Sequence, residues 1–180
     1  MRMSFTGTGS SGKTTLLNKC KEYYGNRFKY VDEVTRVAAK VGLTINEGGG
    51  DETQLFIIKQ HITNSDLDNV IMDRCIIDGM VYTEWLYTSG TVSESVFNIC
   101  RGVYFDLIRQ IDIVFYTEPV QLVDDGVRSV NHKFRDEISH IFKQYISPLK
   151  RNTFPGFKGK IITLKGDVET RFNDIKLAIK

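Results

Sequence analysis

Hydrophobic and polar positions along this chain alternate between two rhythms, and the change of rhythm predicts its elements. Met1, Met3 and Phe5 recur every second residue, so 2–6 reads as a strand. Leu16, Leu17 and Cys20 recur at helical spacing, which predicts a helix over 13–24. A strand follows over 27–32 and a helix over 34–41, before Gly48-Gly49-Gly50 breaks the chain ahead of a helix over 51–64. The strand at 69–73 leads into two helical stretches, 76–88 and 93–110, parted at Ser89-Gly90-Thr91. The stretch 112–116 is nearly all apolar, as a strand covered on both faces should be. Polar residues 118–130 read as a loop, and 131–147 as an amphipathic helix through Phe134, Ile138, Ile141, Phe142 and Tyr145. A strand at 160–164 and a helix at 168–179 complete the series. Strands alternating with helices predict an α/β chain whose five-stranded parallel sheet is covered on both faces. No repeat or Pro/Ser-rich linker divides it, so 1–180 reads as a single domain.

Between the first strand and the first helix stands Gly7-Thr8-Gly9-Ser10-Ser11-Gly12-Lys13-Thr14, a complete G-x-x-x-x-G-K-[ST] phosphate loop. Glycines let the main chain wrap a polyphosphate with its N–H groups and the helix N-terminus directed at the anion. Gly7, Gly9, Ser10, Ser11, Gly12, Lys13, Thr14 and Thr15 are therefore the expected triphosphate cradle. Lys13 would reach the β- and γ-phosphates, and Thr14 would take one Mg²⁺ position. The same glycines also fit the dinucleotide fingerprint G-x-G-x-x-G, with Asp32 and Glu33 about twenty residues on. Lys13-Thr14 favours the phosphate loop, because a dinucleotide fold has no use for that pair. The layered α/β pattern then becomes a P-loop sandwich that binds ATP with Mg²⁺.

Composition changes this picture little. A hydrophobic share of 41% and a charged share of 26% are ordinary for a globular protein. A formal charge of +2 offers no footprint for tight nucleic-acid binding, which is unfavoured as a partner. No apolar run reaches membrane-spanning length, and the first residues lack a signal-peptide core, so a cytoplasmic location is expected. Cys20, Cys75 and Cys100 are far apart and odd in number, and His61, His132 and His140 show no metal-ligand spacing. Trp85, Tyr87 and Phe97 read as packing residues, while Gln54 and Gln60 could hydrogen-bond a base. Gly166-Asp167-Val168-Glu169 reads as a turn able to cover an adenine ring.

An acceptor for the phosphoryl group belongs at the carboxyl ends of the strands. Three features fall there. Asp32-Glu33-x-x-Arg36 closes the second strand; Glu33 could take the proton of an attacking hydroxyl, or Asp32 could simply cap a helix beside an ion pair. Asp73-Arg74 closes the third, with Asp78 and Tyr82 one and two turns on. Asp73 suits Mg²⁺, Arg74 the charge of a transferring phosphoryl group, and Asp78 with Tyr82 a pocket wall; the plain alternative is a cap and a solvated acid. Asp124-Asp125-Gly126-Val127-Arg128 lies in the loop at 118–130, where a lid could bring Arg128 onto the phosphates or form ordinary surface.

Taken in order, the phosphate loop, Glu33-x-x-Arg36, Asp73-Arg74-x-x-x-Asp78 and Asp125-Gly126-x-Arg128-Ser129 resemble the P-loop nucleoside kinase group. The likeness runs from residue 1 to about 175 and is greatest to ribosylnicotinamide kinase domains. The AAA-type ATPase-like small kinases frequent in bacteriophages share the pattern. The resemblance implies that Glu33 faces the acceptor hydroxyl with Arg36 as its partner. It matches Asp73-Arg74 to an acid–Arg pair, Asp78 to an acid contacting base or sugar, and Arg128 to the lid. Ribosylnicotinamide kinases lack an arginine after the strand-three acid, so Arg74 draws the likeness towards deoxynucleoside or nucleotide kinases.

The implied activity is transfer of the ATP γ-phosphate to a hydroxyl of a nucleoside-like acceptor. Catalysis falls to Lys13, Glu33, Asp73, Arg74 and Arg128, with Thr14 and Asp73 at the metal. Glu33, Arg36, Asp78 and Tyr82 would hold the acceptor. A monophosphate kinase, a phage kinase acting on a modified base in DNA, and a nucleotide-binding switch remain alternatives; the chain carries no guanine-reading Asn-Lys-x-Asp. Three acids against two arginines favour a neutral or cationic acceptor over a phosphorylated one. Oligomeric state stays open, a dimer included.

Overall fold

The computed structural model describes residues 1–118 and 131–179. Five strands, β1 (Arg2–Thr6), β2 (Lys29–Val31), β3 (Val70–Asp73), β4 (Ile113–Thr117) and β5 (Lys160–Leu164), form one parallel sheet in the order β2-β3-β1-β4-β5. Helices α1 (Lys13–Tyr24), α2 (Val34–Lys40), α3 (Asp51–Ser65), α4 (Ile76–Thr88), α5 (Glu94–Leu107), α6 (His132–Lys150) and α7 (Val168–Ala178) connect and cover it. The predicted α/β sandwich is what forms.

Alternation along β1 explains both layers. Met3 and Phe5 join Ile71, Ile113 and Phe115 in a core closed by Leu16, Leu17 and Cys20 of α1 and by Phe172 and Ile175 of α7. On the other face Val114 and Tyr116 meet Ile77, Met80, Val81, Cys100, Phe142 and Ile146 from α4, α5 and α6. The period of two turns Ser4 and Thr6 away from the first core, so the central strand carries two buried hydroxyls. A smaller cluster of Val34, Ala38 and Ile57 seats α2 on α3.

Three boundaries differ from the sequence prediction by more than one residue. The second strand begins at Lys29 rather than 27, because Gly25–Arg27 coil into a 3₁₀ turn and the Arg27 guanidinium lies over the Tyr24 and Phe28 rings. The helix predicted to 110 ends at Leu107, and Ile108–Gln110 tighten into a 3₁₀ turn. α6 runs past 147 to Lys150: Pro148 in its last turn forfeits one intrahelical N–H bond, and burial of Ile146 and Leu149 holds the stretch in place. Trp85 and Phe97 pack as expected, Trp85 edge-on to Phe134 with its indole N–H donating to Glu137. No helix among the described residues is long and apolar enough to cross a membrane.

Candidate active site

The register of the sheet builds the site. Phe5 lies opposite Asp73 and Thr6 opposite Tyr116, so the loop leaving β1 rises between the ends of β3 and β4. Three residues of that loop have positive φ: Gly7 (138°), Ser10 (55°) and Gly12 (84°). A Cβ on Gly7 would stand 2.5 Å from Thr117 O, so only glycine fits there. Ser11 and Thr117 hydroxyls lie 2.6 Å apart, and Thr117 Oγ1 donates to Thr6 O at 3.0 Å. Arg171, from the first turn of α7, donates from Nη1 to Ser11 O (2.8 Å) and from Nε to Gly166 O (2.9 Å). The loop is thus tied to both flanking elements before any ligand arrives.

Lys13 folds back into this loop. Its ammonium donates to Gly7 O (2.8 Å), Thr8 O (2.7 Å) and Ser11 Oγ (3.1 Å), and the side chain is buried. Burial, reinforced by the Arg74 charge, lowers it to about 7. Three acceptors on three N–H donors oppose that pull and favour the cation at neutral pH.

Thr14 and Asp73, the expected metal ligands, meet directly: Thr14 Oγ1 donates to Asp73 Oδ2 at 2.5 Å. Asp73 Oδ1 is buried without a hydrogen-bond partner. Burial pushes the Asp73 carboxyl above its ordinary value, and Glu33 adds to the effect against Lys13 and Thr14. An orphaned carboxylate oxygen beside a hydroxyl at the edge of a phosphate loop is the oxygen donor set that suits Mg²⁺. The residues fit the ion.

On the acceptor side one guanidinium joins two acids to the loop. Arg74 donates from Nε to Glu33 Oε1 (2.6 Å), and from Nη1 to Asp78 Oδ1 (2.9 Å) and Gly7 O (3.3 Å). Arg74 takes φ 80°, a left-handed conformation rare outside glycine, which is held by this network. Burial opposes its charge, but Glu33, Tyr82 and Asp78 outweigh burial and hold it well above the ordinary value. Glu33 also accepts from Arg36 Nε at 3.3 Å. Asp78 accepts from Thr6 Oγ1 (2.6 Å) and the Cys75 N–H (3.2 Å), closing a capping box at the start of α4. Tyr82 lies against the network, its ring 5.6 Å from the Arg74 guanidinium carbon.

Lys13, Thr14, Glu33, Asp73, Arg74 and Asp78 therefore come together, with Arg36 and Tyr82 at their edge. Thr15 is exposed on α1, and Gly9 is half-buried in the loop. Arg128 and the rest of Asp124-Asp125-Gly126-Val127-Arg128 lie outside the described residues. Asp32 is no cap; it pairs with Lys21 on the surface, and Glu33 holds the N-cap position of α2. Asp73 is no cap either, since Cys75 caps α4, and Asp78 is buried rather than solvated. Thr6, Thr117 and Arg171 were not singled out by sequence reasoning. Neither was the cleft that opens beside Arg74 and Asp78, lined in part by Val34, Ile45, Gln54, Ile57, His61 and Tyr82.

Known proteins with this fold include nucleoside kinases. Deoxyadenosine kinase from M. mycoides, in a structure with dCMP and dCDP bound, superposes with a TM-score of 0.72 at 14% identity, over 99% of this chain and 98% of its own. NadR protein in complex with NAD and AMP-PNP gives 0.72 at 16% identity over 98% of this chain. This chain spans about half of that protein, covering 48% of it. YorR from Bacillus subtilis, in complex with phosphorylated GDP, gives 0.60 at 14% identity, over 99% and 95% of the two chains. No curated protein matches the sequence. The family described as AAA domain matches residues 2–171, nearly the whole chain, and the protein belongs to that family.

Proposed function

We propose that the protein is a kinase that transfers the γ-phosphate of ATP to a hydroxyl of a nucleoside. One observation carries the reading: Arg74, in the wall of a cleft, links the phosphate-loop carbonyl of Gly7 to the buried acids Glu33 and Asp78. Donor and acceptor sites would then share one guanidinium. The nucleoside kinases among the proteins of this fold support the assignment.

In this reading the loop N–H groups bind the donor phosphates, and Lys13 leaves Gly7 O and Thr8 O to reach the β- and γ-oxygens. Thr14 and Asp73 hold Mg²⁺, which supplies neutralisation of charge on those oxygens. Glu33 accepts the proton of the acceptor hydroxyl as its oxygen bonds to the γ-phosphorus. The bond from that phosphorus to the β–γ bridging oxygen breaks, and ADP leaves. Arg74 stabilises the charge spread over the transferring group, and Arg128 is proposed to add to this from the loop at 118–130. Arg74 is already bound to two carboxylates, so no arginine in the network is set aside for an acceptor phosphate. A nucleoside should outcompete its own monophosphate.

The test follows label from γ-labelled ATP into nucleosides, monophosphates and DNA offered in parallel. Label in nucleosides, lost in Lys13→Ala by about 10²-fold or more, supports the reading. Label confined to monophosphates would promote the nucleotide-kinase alternative, and ATP hydrolysis without any acceptor would promote the switch.

A further inference from the structure

The junction of β1 with the phosphate loop, Thr6-Gly7, belongs to two closed hydrogen-bond rings. Toward the loop, the Thr6 carbonyl accepts from Thr117 Oγ1 at 3.0 Å, and that hydroxyl lies 2.6 Å from Ser11 Oγ. Ser11 Oγ in turn accepts from Lys13 Nζ at 3.1 Å. Toward the acceptor side, the Thr6 hydroxyl donates to Asp78 Oδ2 at 2.6 Å, and Asp78 Oδ1 accepts from Arg74 Nη1 at 2.9 Å. The same nitrogen reaches back to Gly7 O at 3.3 Å and closes the second ring. Thr6 is fully buried, and its one hydroxyl proton is committed to a carboxylate.

The second ring decides where the Arg74 guanidinium stands. Two of the hydrogen-bond donors to the Asp78 carboxylate, Arg74 and the Cys75 N–H, come from the same short segment and move with it. The Thr6 bond instead ties that carboxylate to the central strand of the sheet. Arg74 itself bonds through its main-chain N–H to Phe5 O at 3.0 Å, which fixes its backbone but not the end of a long side chain. A guanidinium is a planar fork, so its orientation follows the positions of its acceptors. Here the oxygen that accepts from Nη1 and the hydroxyl that holds its carboxylate partner come from adjacent residues of one strand end. Without that hydroxyl, the buried Asp78 Oδ2 loses a charge-assisted donor. The cation beside it is Arg74, and a carboxylate with both oxygens turned to one guanidinium would draw Nη1 off Gly7 O.

We propose that Thr6 is a positioning residue for phosphoryl transfer: through Asp78 it sets the Arg74 guanidinium against the phosphate loop. The inference rests on the nucleoside-kinase reading above, in which Arg74 stabilises the transferring group, and deepens it by placing control of Arg74 in β1. Thr6 acts only through Asp78 and Arg74. The main-chain N–H groups of the loop do not depend on its hydroxyl, and the Thr6 carbonyl keeps its bond from Thr117 whatever side chain stands at that position. Loss of the hydroxyl should therefore slow the chemical step and leave the binding of ATP alone.

The experiment compares the unmodified protein with Thr6→Val, Thr6→Ser and Thr6→Ala. Turnover is followed with γ-labelled ATP and deoxyadenosine, deoxycytidine, deoxyguanosine and thymidine offered together, and ATP affinity by calorimetry. Thr6→Val keeps the shape and removes the hydroxyl, so kcat should fall about 10²-fold, the scale on which a displacement of about 1 Å acts, with the Kd for ATP unmoved. Thr6→Ser returns the hydroxyl and should recover most of the loss. Thr6→Ala repeats the test should the valine variant not fold. Added to Arg74→Lys, which lacks the fork, Thr6→Val should lower kcat far less than it does alone, because residues that act as a unit are not additive. An unchanged kcat in the valine and alanine variants overturns the proposal, even if their melting temperatures fall. So does a loss that Thr6→Ser does not recover, a matching rise in the Kd for ATP, or an undiminished effect in the Arg74→Lys background. If no deoxynucleoside takes the label, the kinase reading falls and the same variants are read on ATP hydrolysis, where water replaces the acceptor. There a fall of about 10²-fold that Thr6→Ser recovers upholds Thr6, and an unchanged rate overturns it. A protein that neither transfers the phosphoryl group nor hydrolyses ATP sinks both.

Discussion

The two halves of the candidate site are built on opposite principles. The donor half is one unbroken stretch, Gly7 to Thr14, whose ligand groups are mostly main-chain N–H and whose shape depends on φ at three residues. The acceptor half is made of side chains from four places: Thr6 at the end of β1, Glu33 after β2, Arg74 after β3 and Asp78 in α4. In the first half the backbone sets the field, and the buried cation of the loop itself, Lys13, rests on neutral oxygens. In the second the charges hold one another. A change of charge should therefore act mainly on chemistry in the donor half, but on chemistry and stability together in the acceptor half.

The largest effect is expected at Glu33. Glu33→Gln keeps the shape and removes the base, so kcat should fall by about 10²- to 10⁴-fold with ATP affinity nearly unchanged. Stopped turnover assays and ATP calorimetry check this. An unchanged kcat would return Glu33 to a purely structural part and leave Asp73 as the next base to test.

Next comes a pair of variants that tests the comparison directly. Arg74→Met leaves Glu33 and Asp78 buried without their shared cation, and such losses cost about 3–5 kcal/mol. Lys13→Met removes a buried cation whose partners are neutral, so it should lower turnover by about 10²-fold with a much smaller loss of stability. Urea unfolding of the two variants reads the difference. Equal losses would mean that the halves are not built differently after all.

The same division explains what could be read without a structure. Among the described residues the hydrophobic rhythm located each strand and α-helix because each needed only local sequence, and errors arose where tertiary packing decided the ends. Arg27 stacking on Tyr24 and Phe28 shortened β2, and burial of Ile146 and Leu149 carried α6 through Pro148. The phosphate loop was legible because its residues are contiguous. Asp73 was legible because it closes an apolar strand next to that loop. Thr6, Thr117, Arg171 and His61 carry no local mark; each acquires meaning from a neighbour more than fifteen residues away. Asp32 and Asp78 show the converse. Both fit a cap or a solvated acid by local rules, yet one is a surface ion pair and the other is buried.

A smaller effect should appear in acid. His61 sits at about 4 in the folded protein against 6.5 ordinarily, because burial disfavours its cation, with Asp78 and Arg74 the charged groups acting on it. The unfolded chain therefore binds a proton that the folded one refuses between these values. The folded state bears no penalty from His61 above about pH 6.5, and loses stability progressively as pH falls to 4. The full loss approaches about 3 kcal/mol. His61→Gln cannot titrate, so its stability should fall less steeply over pH 6.5 to 4. Parallel urea midpoints for both proteins across that window would show the imidazole to be open to solvent instead.

The smallest expected effect sits where the two principles meet, at Arg171. It is a side chain serving the backbone-built half: buried, bonded to Ser11 O and Gly166 O, and without an ion pair among the described residues. A guanidinium has five N–H donors, and a charge left without an acid close to Gly12 is placed to favour a polyphosphate on the loop. Arg171→Met keeps the apolar stem and removes the charge. Charge-assisted hydrogen bonds contribute about 1.5–3 kcal/mol, so the Kd for ATP should rise by roughly 10- to 150-fold. At saturating ATP, kcat and the KM of the acceptor should hardly move, because Arg171 lies on the loop side away from Glu33 and Asp78. Calorimetry with ATP and a melting curve separate the outcomes. A lower melting temperature with normal ATP affinity would make Arg171 a staple between α7 and the loop. A loss of kcat at unchanged affinity would place its charge on the transferring group, and the clean division between the two halves would fail at that residue.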